Sequence, residues 1–144
     1  MITLFLQSAL FPSALKENHS TCKMSFRDNK KKYHNKVIDE RLYLVTGQDV
    51  SQNYLELSSL LIGLKNIKTS TLFRLKEKGT PVKVLRIVSK YNNGSYIRNS
   101  IKQLYDSWEY LDFRGVPHQD LWRQVYKIMN ELKDLDVEIM IKDS

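Results

Sequence analysis

The sequence contains little cysteine, which cross-links a chain, and little proline or glycine, which break helices and strands. Its 144 residues include one cysteine, three prolines and five glycines. The single cysteine, Cys22, excludes an intramolecular disulfide framework and a zinc site built on several cysteines. With so little proline and glycine there is little room for linkers, and we expect one domain spanning residues 1–144. A hydrophobic fraction of 42% and a charged fraction of 27% are typical of a globular protein and exclude wholesale disorder.

Long apolar runs are also absent. No stretch approaches the roughly 20 apolar residues of a membrane-spanning helix, so we expect no membrane partner. Ile2–Ala9 is apolar, but no basic residue precedes it and Gln7 and Ser8 interrupt it, which favours a β-strand over a signal peptide. These features predict an intracellular protein, with no indication of the compartment or the oligomeric state. The three histidines are too scattered to indicate a metal site.

Positive charge is in excess and unevenly distributed. The net charge is +7, and residues 1–100 carry seventeen basic against seven acidic side chains, whereas residues 101–144 carry six against nine. Lys30, Lys31 and Lys32 form the densest basic run. Such a balance suits a polyanionic partner, nucleic acid above all. A solvated lysine-rich surface is the alternative.

Hydrophobic periodicity predicts five strands and three helices. The predicted strands are Ile2–Gln7, Cys22–Phe26, Arg41–Val45, Val82–Val88 and Val137–Ile141, with a solvated turn around Lys30–Lys32. The predicted helices run from Ser51 to Ile67, from Ile97 to Leu111 and from Pro117 to Leu132. Strands first, followed by alternating strands and helices, predict an α/β fold whose sheet is partly antiparallel and partly parallel.

Three stretches in this order of elements resemble ribonuclease H type 1. Gln52–Leu57 is similar to the start of the family's first long helix, where a polar pair precedes a catalytic glutamate. Asn93–Ile101 resembles the family's Asp-Ser-x-Tyr-Val-x-x-x-Ile segment, and Val116–Trp122 resembles its Asp-Leu-Trp segment. The resemblance implies a five-stranded mixed sheet of order 3-2-1-4-5 with helices on both faces. The family's last helix has no counterpart here, because the sequence ends at Ser144.

Ribonuclease H cleaves the RNA strand of an RNA–DNA hybrid with two divalent ions held by four carboxylates. The resemblance places the glutamate at Glu56, the first-strand aspartate at Gln7 and the fourth-strand aspartate at Asn93, and leaves the fourth carboxylate without a counterpart. Amides lack the charge that holds a hard cation, so we expect a disabled site, no cofactor, and Mg²⁺ only if activity persists. Four other carboxylates are candidate substitutes, although surface charge is the simpler interpretation: Asp39, Glu40, Asp49 and, most suggestively placed, Asp143.

Binding is what remains if catalysis is lost. By resemblance, Gln52 and Asn53 touch the minor groove of a hybrid, although polar residues also cap helices at this position. The family's basic protrusion corresponds to Glu109–Gly115, which is short and not basic. We therefore expect a catalytically inactive ribonuclease H-like protein that binds RNA–DNA hybrid, RNA or DNA, with phosphate contacts from Lys30–Lys32, or that serves in a nucleoprotein assembly. The alternatives are an active ribonuclease H and a pure protein-interaction domain.

Overall fold

The computed structural model describes residues 2–9, 19–27, 33–38, 52–67, 83–89, 95–108 and 110–143, which form five strands and three α-helices. The strands are β1 (Ile2–Ala9), β2 (His19–Arg27), β3 (Tyr33–Ile38), β4 (Val84–Ser89) and β5 (Glu138–Asp143). The helices are α1 (Gln52–Asn66), α2 (Ser95–Gln103) and α3 (Gln119–Asp134), and a π-helical turn, Leu104–Trp108, continues α2.

The strands form one mixed sheet in the order β3-β2-β1-β4-β5. Strand β2 is antiparallel to both β1 and β3, whereas β4 is parallel to both β1 and β5. Parallel neighbours need long crossover connections, and here the connections that reach β4 and β5 contain the helices. The α/β architecture and mixed sheet predicted from the sequence are confirmed.

Helix α1 packs closely against the centre of the sheet. A Cβ atom built on Gly63 would lie 2.7 Å from Sγ of Cys22 and 2.9 Å from Cδ1 of Leu4. Cys22 and Leu4 are fully buried, on β2 and β1 respectively. A glycine at this position therefore allows the helix backbone to approach the sheet more closely than any other residue would.

The core lies between one face of the sheet and the helices. Leu85 and Ile87 of β4 belong to the same apolar cluster as Ile97 of α2 and Trp122 of α3. Trp122 is buried and meets the ring of Trp108 at 5.5 Å in a T-shaped contact. The described helices all pack on this face. The helices on the other face that the resemblance implies are not among the described residues.

The strand Tyr33–Ile38 was not predicted, and the second helix ends earlier than predicted. The strand that pairs with β2 is Tyr33–Ile38, and the predicted strand Arg41–Val45 lies outside the described residues. As an edge strand, β3 need not be apolar on either side, so it gives a weak hydrophobic signal. Helix α2 ends at Gln103, and Leu111 is 51% exposed because the π-helical turn and the positive φ angle of Asp112 take the chain out of the helical path.

Among the residues that the structure describes, no helix has the length and apolar character required to cross a membrane.

Candidate functional site

Glu56 is a buried carboxylate at the interface between α1 and the sheet. Its side chain is 2% exposed and accepts a hydrogen bond from the hydroxyl of Ser89, the last residue of β4. Ser89 is itself fully buried. An ionised carboxylate removed from water is costly unless hydrogen-bond donors satisfy its oxygens, and Ser89 supplies one of them. The pair thus links the first helix to the carboxyl end of a central strand.

The sheet register shows which positions lie beside this pair. Across the strands, Leu6 of β1 pairs with Ser89 on one side and with Cys22 on the other, and Ser89 pairs in turn with Asp143 of β5. Leu6 is buried and apolar. The β1 position next to Ser89 is therefore an apolar one, and Gln7 is one residue further along the strand.

Cys22 also lies near Glu56. Burial, with a smaller contribution from the nearby Glu56 carboxylate, raises the pKa of its thiol from 9.0 to about 12. Cys22 is therefore a protonated thiol at neutral pH and not a thiolate. A thiol in this state is neither a nucleophile nor a metal ligand.

The described side chains around Glu56 do not fit a hard divalent cation. Mg²⁺ is held by carboxylate, phosphate and water oxygens, whereas the groups described next to Glu56 are a hydroxyl, a protonated thiol and the apolar Leu6. Within the described ranges, no group of three or more histidine, cysteine, aspartate or glutamate residues is placed to hold a metal ion. The side chains of Gln7 and Asn93 lie outside the described part of the structure.

A cleft of about 440 Å³ opens between the first turns of α1 and α3. It is lined by Tyr54, Val116, His118, Gln119, Asp120 and Leu121. The rings of Tyr54 and His118 meet at a centroid distance of 5.3 Å and an interplanar angle of 66°. His118 precedes α3 in the left-handed conformation, and its carbonyl accepts hydrogen bonds from the backbone N–H groups of Leu121 and Trp122, both at 3.1 Å. Aromatic, apolar and polar groups thus share one open cleft.

A turn contacted by Arg123 lies where the resemblance places the basic protrusion. The guanidinium of Arg123 donates to the Asp112 side chain at 3.0 Å and to the Asp112 carbonyl at 2.7 Å. The same guanidinium carbon lies 5.2 Å from the ring centroid of Phe113, which is buried. These contacts fix Asp112 and Phe113 in the left-handed backbone region, at φ angles of 53° and 60°. The turn presents Tyr110, 91% exposed, and no excess of positive charge.

Comparison with known proteins identifies structures that share this architecture. No family model and no curated protein matches the sequence. Solved structures do match. The solution structure of the PFV RNase H domain has a TM-score of 0.55 and 12% identity, over 99% of this chain and 76% of that one. Two structures of the foamy viral protease–reverse transcriptase also match, each over 99% of this chain. The one in complex with RNA/DNA hybrid has a TM-score of 0.61 and 15% identity over 17% of that chain. The one in complex with double-stranded DNA has a TM-score of 0.57 and 14% identity over 81% of that chain.

The chain has a ribonuclease H-like fold. At these identities the likeness establishes the fold and not the activity. The fold class implied by the resemblance in the sequence is therefore confirmed, whereas the state of the active site stays a prediction.

The structure describes part of the predicted site. Glu56 lies in α1 as expected, and Gln52 and Asn53 form the first turn of that helix, half-buried. The backbone of Gln7 lies in β1 opposite Thr21. Asn93 and Lys30–Lys32 lie outside the described residues, so their place relative to Glu56 stays a prediction.

Sequence analysis missed two features of the site. Ser89 is the polar residue that ends an otherwise apolar alternation with Leu85 and Ile87 on one face of β4, and this break in the pattern was a usable signal. The pairing of Tyr54 with His118 joins residues 64 positions apart in the chain, which no local pattern reveals.

Proposed function

We propose that this ribonuclease H-like protein binds nucleic acid, RNA–DNA hybrid, RNA or DNA, without cleaving it, either alone or as a module of a nucleoprotein assembly. The observation that carries the proposal is the environment of Glu56. The one catalytic carboxylate retained in the resemblance is buried, accepts a hydrogen bond from Ser89, and lies beside a strand position occupied by the apolar Leu6.

Loss of cleavage follows from charge. Two-metal hydrolysis needs several carboxylates to hold the ions that stabilise the attacking and leaving oxygens. At the positions that the resemblance assigns to two catalytic aspartates, Gln7 and Asn93 would provide amide oxygens with no net charge, and the Ser89 hydroxyl adds none. A site without a cluster of carboxylates would bind divalent ions weakly, because its ligands would not offset the cost of removing their hydration water.

Nucleic-acid binding is supported by charge and by the fold. The basic excess of residues 1–100 favours a polyanion. The solved structures that share the fold include one in complex with RNA/DNA hybrid and one with double-stranded DNA. The first turn of α1 carries Gln52 and Asn53 beside the cleft at Tyr54, so polar and aromatic groups lie at the same end of the helix. Phosphate contacts would give affinity, and these groups would distinguish one kind of strand from another.

A second candidate function, residual Mg²⁺-dependent cleavage of hybrids, is favoured by one observation. The sheet register places Asp143 beside Ser89, the residue that contacts Glu56. Under this alternative, Glu56 and Asp143 would be the carboxylates of the site. The variant Asp143→Asn would then abolish cleavage, whereas under the binding proposal it leaves binding unchanged.

The binding proposal is tested by titrating labelled RNA–DNA hybrid, single-stranded RNA and duplex DNA with the full chain at several salt concentrations. Electrostatic binding predicts a fall in log affinity with log salt, with a slope of roughly −0.7 to −0.9 for each phosphate neutralised. Replacing Lys30, Lys31 and Lys32 by glutamine should flatten that slope and weaken all three targets alike. The absence of binding at low salt would refute the proposal and leave the protein-interaction alternative.

A further inference from the structure

The cleft between the first turns of α1 and α3 has the features of a site for a planar ring. Its 440 Å³ lies within the range of small-ligand sites, which is roughly 300–1,000 Å³. The rings of Tyr54 and His118 are inclined at 66°, so they form an open angle and not a closed stack. A third ring lying flat on one of them would meet the other with its edge, the geometry that aromatic groups prefer.

The polar groups of the cleft favour a base over a phosphate. Asp120 lines the cleft together with the Gln119 amide and the apolar Val116 and Leu121. A carboxylate repels a phosphate but accepts hydrogen bonds from N–H groups. Two apolar side chains, two aromatic rings, an amide and a carboxylate suit the flat face and donor edge of a nucleobase.

The carboxylate also distinguishes among the bases. On its Watson–Crick edge, guanine presents two adjacent donors, the ring N1–H and the exocyclic amino group, which a carboxylate can accept together. Adenine presents an acceptor at N1 beside its amino group, and a carboxylate opposes that acceptor. Uracil has one donor between two carbonyl oxygens. Cytosine, like adenine, presents an acceptor, N3, beside its amino group. Guanine is therefore the base that Asp120 complements best.

We propose that this cleft binds one unstacked guanine base of a nucleic acid, a proposal that rests on the nucleic-acid binding proposed above. The base stacks on one of the two rings, Tyr54 or His118, and meets the other edge to face, and Asp120 accepts hydrogen bonds from its Watson–Crick edge. Bases that are splayed out of a strand and stacked on aromatic side chains are the usual targets of sequence-specific RNA recognition.

The test uses short single-stranded oligouridylates that differ at one central position, which is guanine, adenine or an abasic sugar. Fluorescence anisotropy with the full chain measures the affinity for each. We expect the guanine oligonucleotide to bind about tenfold more tightly than the adenine one, the ratio given by one bidentate contact to a base. The variant Asp120→Asn should reduce this ratio to within about twofold, and His118→Ala should weaken binding of the guanine oligonucleotide in particular.

Asp134→Asn is the matched control, because Asp134 lies at the opposite end of α3 and the substitution makes the same change in charge. It should keep the guanine preference. Equal binding of all three oligonucleotides to the wild type would overturn the guanine proposal and leave nucleic-acid binding in place. Loss of preference in Asp134→Asn as large as in Asp120→Asn would also overturn it. Failure of every oligonucleotide to bind at low salt would overturn the guanine proposal, and the titration with RNA–DNA hybrid and duplex DNA then decides whether nucleic-acid binding stands. Circular dichroism confirms that each variant is folded.

Discussion

The contact between α1 and the sheet at Gly63 gives a prediction whose size can be worked out. In Gly63→Ala the added methyl group would lie 2.7 Å from Sγ of Cys22 and 2.9 Å from Cδ1 of Leu4, and both residues are fully buried. Crowding of this kind costs roughly 1–3 kcal/mol. Alanine in place of glycine inside a helix stabilises the helix by about 1 kcal/mol. We therefore expect a net loss of about 1 kcal/mol in the free energy of unfolding, measured by urea denaturation.

A double-mutant cycle separates crowding from other causes. Cys22→Ala removes the sulfur atom nearest to the new methyl group, so the two substitutions together should cost about 1 kcal/mol less than the sum of their separate effects. Gly115→Ala is the control. There the new Cβ would meet nothing within 4 Å, but the φ of +72° strains an alanine. Its cost should add to that of Cys22→Ala. Additivity of Gly63→Ala with Cys22→Ala, or a gain in stability in Gly63→Ala, would refute the reasoning.

The remaining predictions concern polar groups. Ser89→Ala removes a donor from the buried Glu56 carboxylate and should lower the free energy of unfolding by about 1–3 kcal/mol in urea denaturation, and a change within experimental error would contradict the importance of this contact. The double variant Gln52→Ala, Asn53→Ala should reduce any preference for hybrid over DNA duplex while keeping the salt slope of binding, and a changed slope would contradict groove recognition. Cys22 should resist thiol reagents at pH 8 in the folded protein. Because the pKa of the thiol is raised from 9.0 to about 12 in the folded protein, unfolding releases a proton above pH 9. The free energy of unfolding should therefore fall as the pH rises from 9 to about 12, and it should fall less in Cys22→Ala.

The fold could be predicted to the extent that its elements are strongly patterned. Helix α1 repeats leucine and isoleucine at helical spacing, although every residue from 55 to 64 is buried. Strand β4 is apolar except at Arg86 and Ser89. Strand β3 was missed because its sequence, Tyr33–Ile38, lacks the apolar pattern that a central strand shows. The π-helical turn Leu104–Trp108 could not be foreseen, since its sequence fits the period of an ordinary helix.

The candidate site was predictable at Glu56 only. Its identity rested on resemblance, whereas its burial and its hydrogen bond with Ser89 depend on how closely α1 approaches β4. The cleft at Tyr54 and His118 depends on the packing of α1 against α3, two helices far apart in the chain. Long-range packing of this kind is set by the complete core and not by local periodicity.

Cleavage of a bound hybrid tests the central claim most directly. RNA–DNA hybrid labelled on the RNA strand is incubated with the full chain in Mg²⁺ at low salt, and the same sample is run on a native and on a denaturing gel. We expect a shifted complex on the native gel and full-length RNA on the denaturing gel, because the described part of the chain places no group of three or more carboxylate, histidine or cysteine side chains to hold a metal ion. Shortened RNA with the wild type, and intact RNA with Glu56→Gln, would contradict the account.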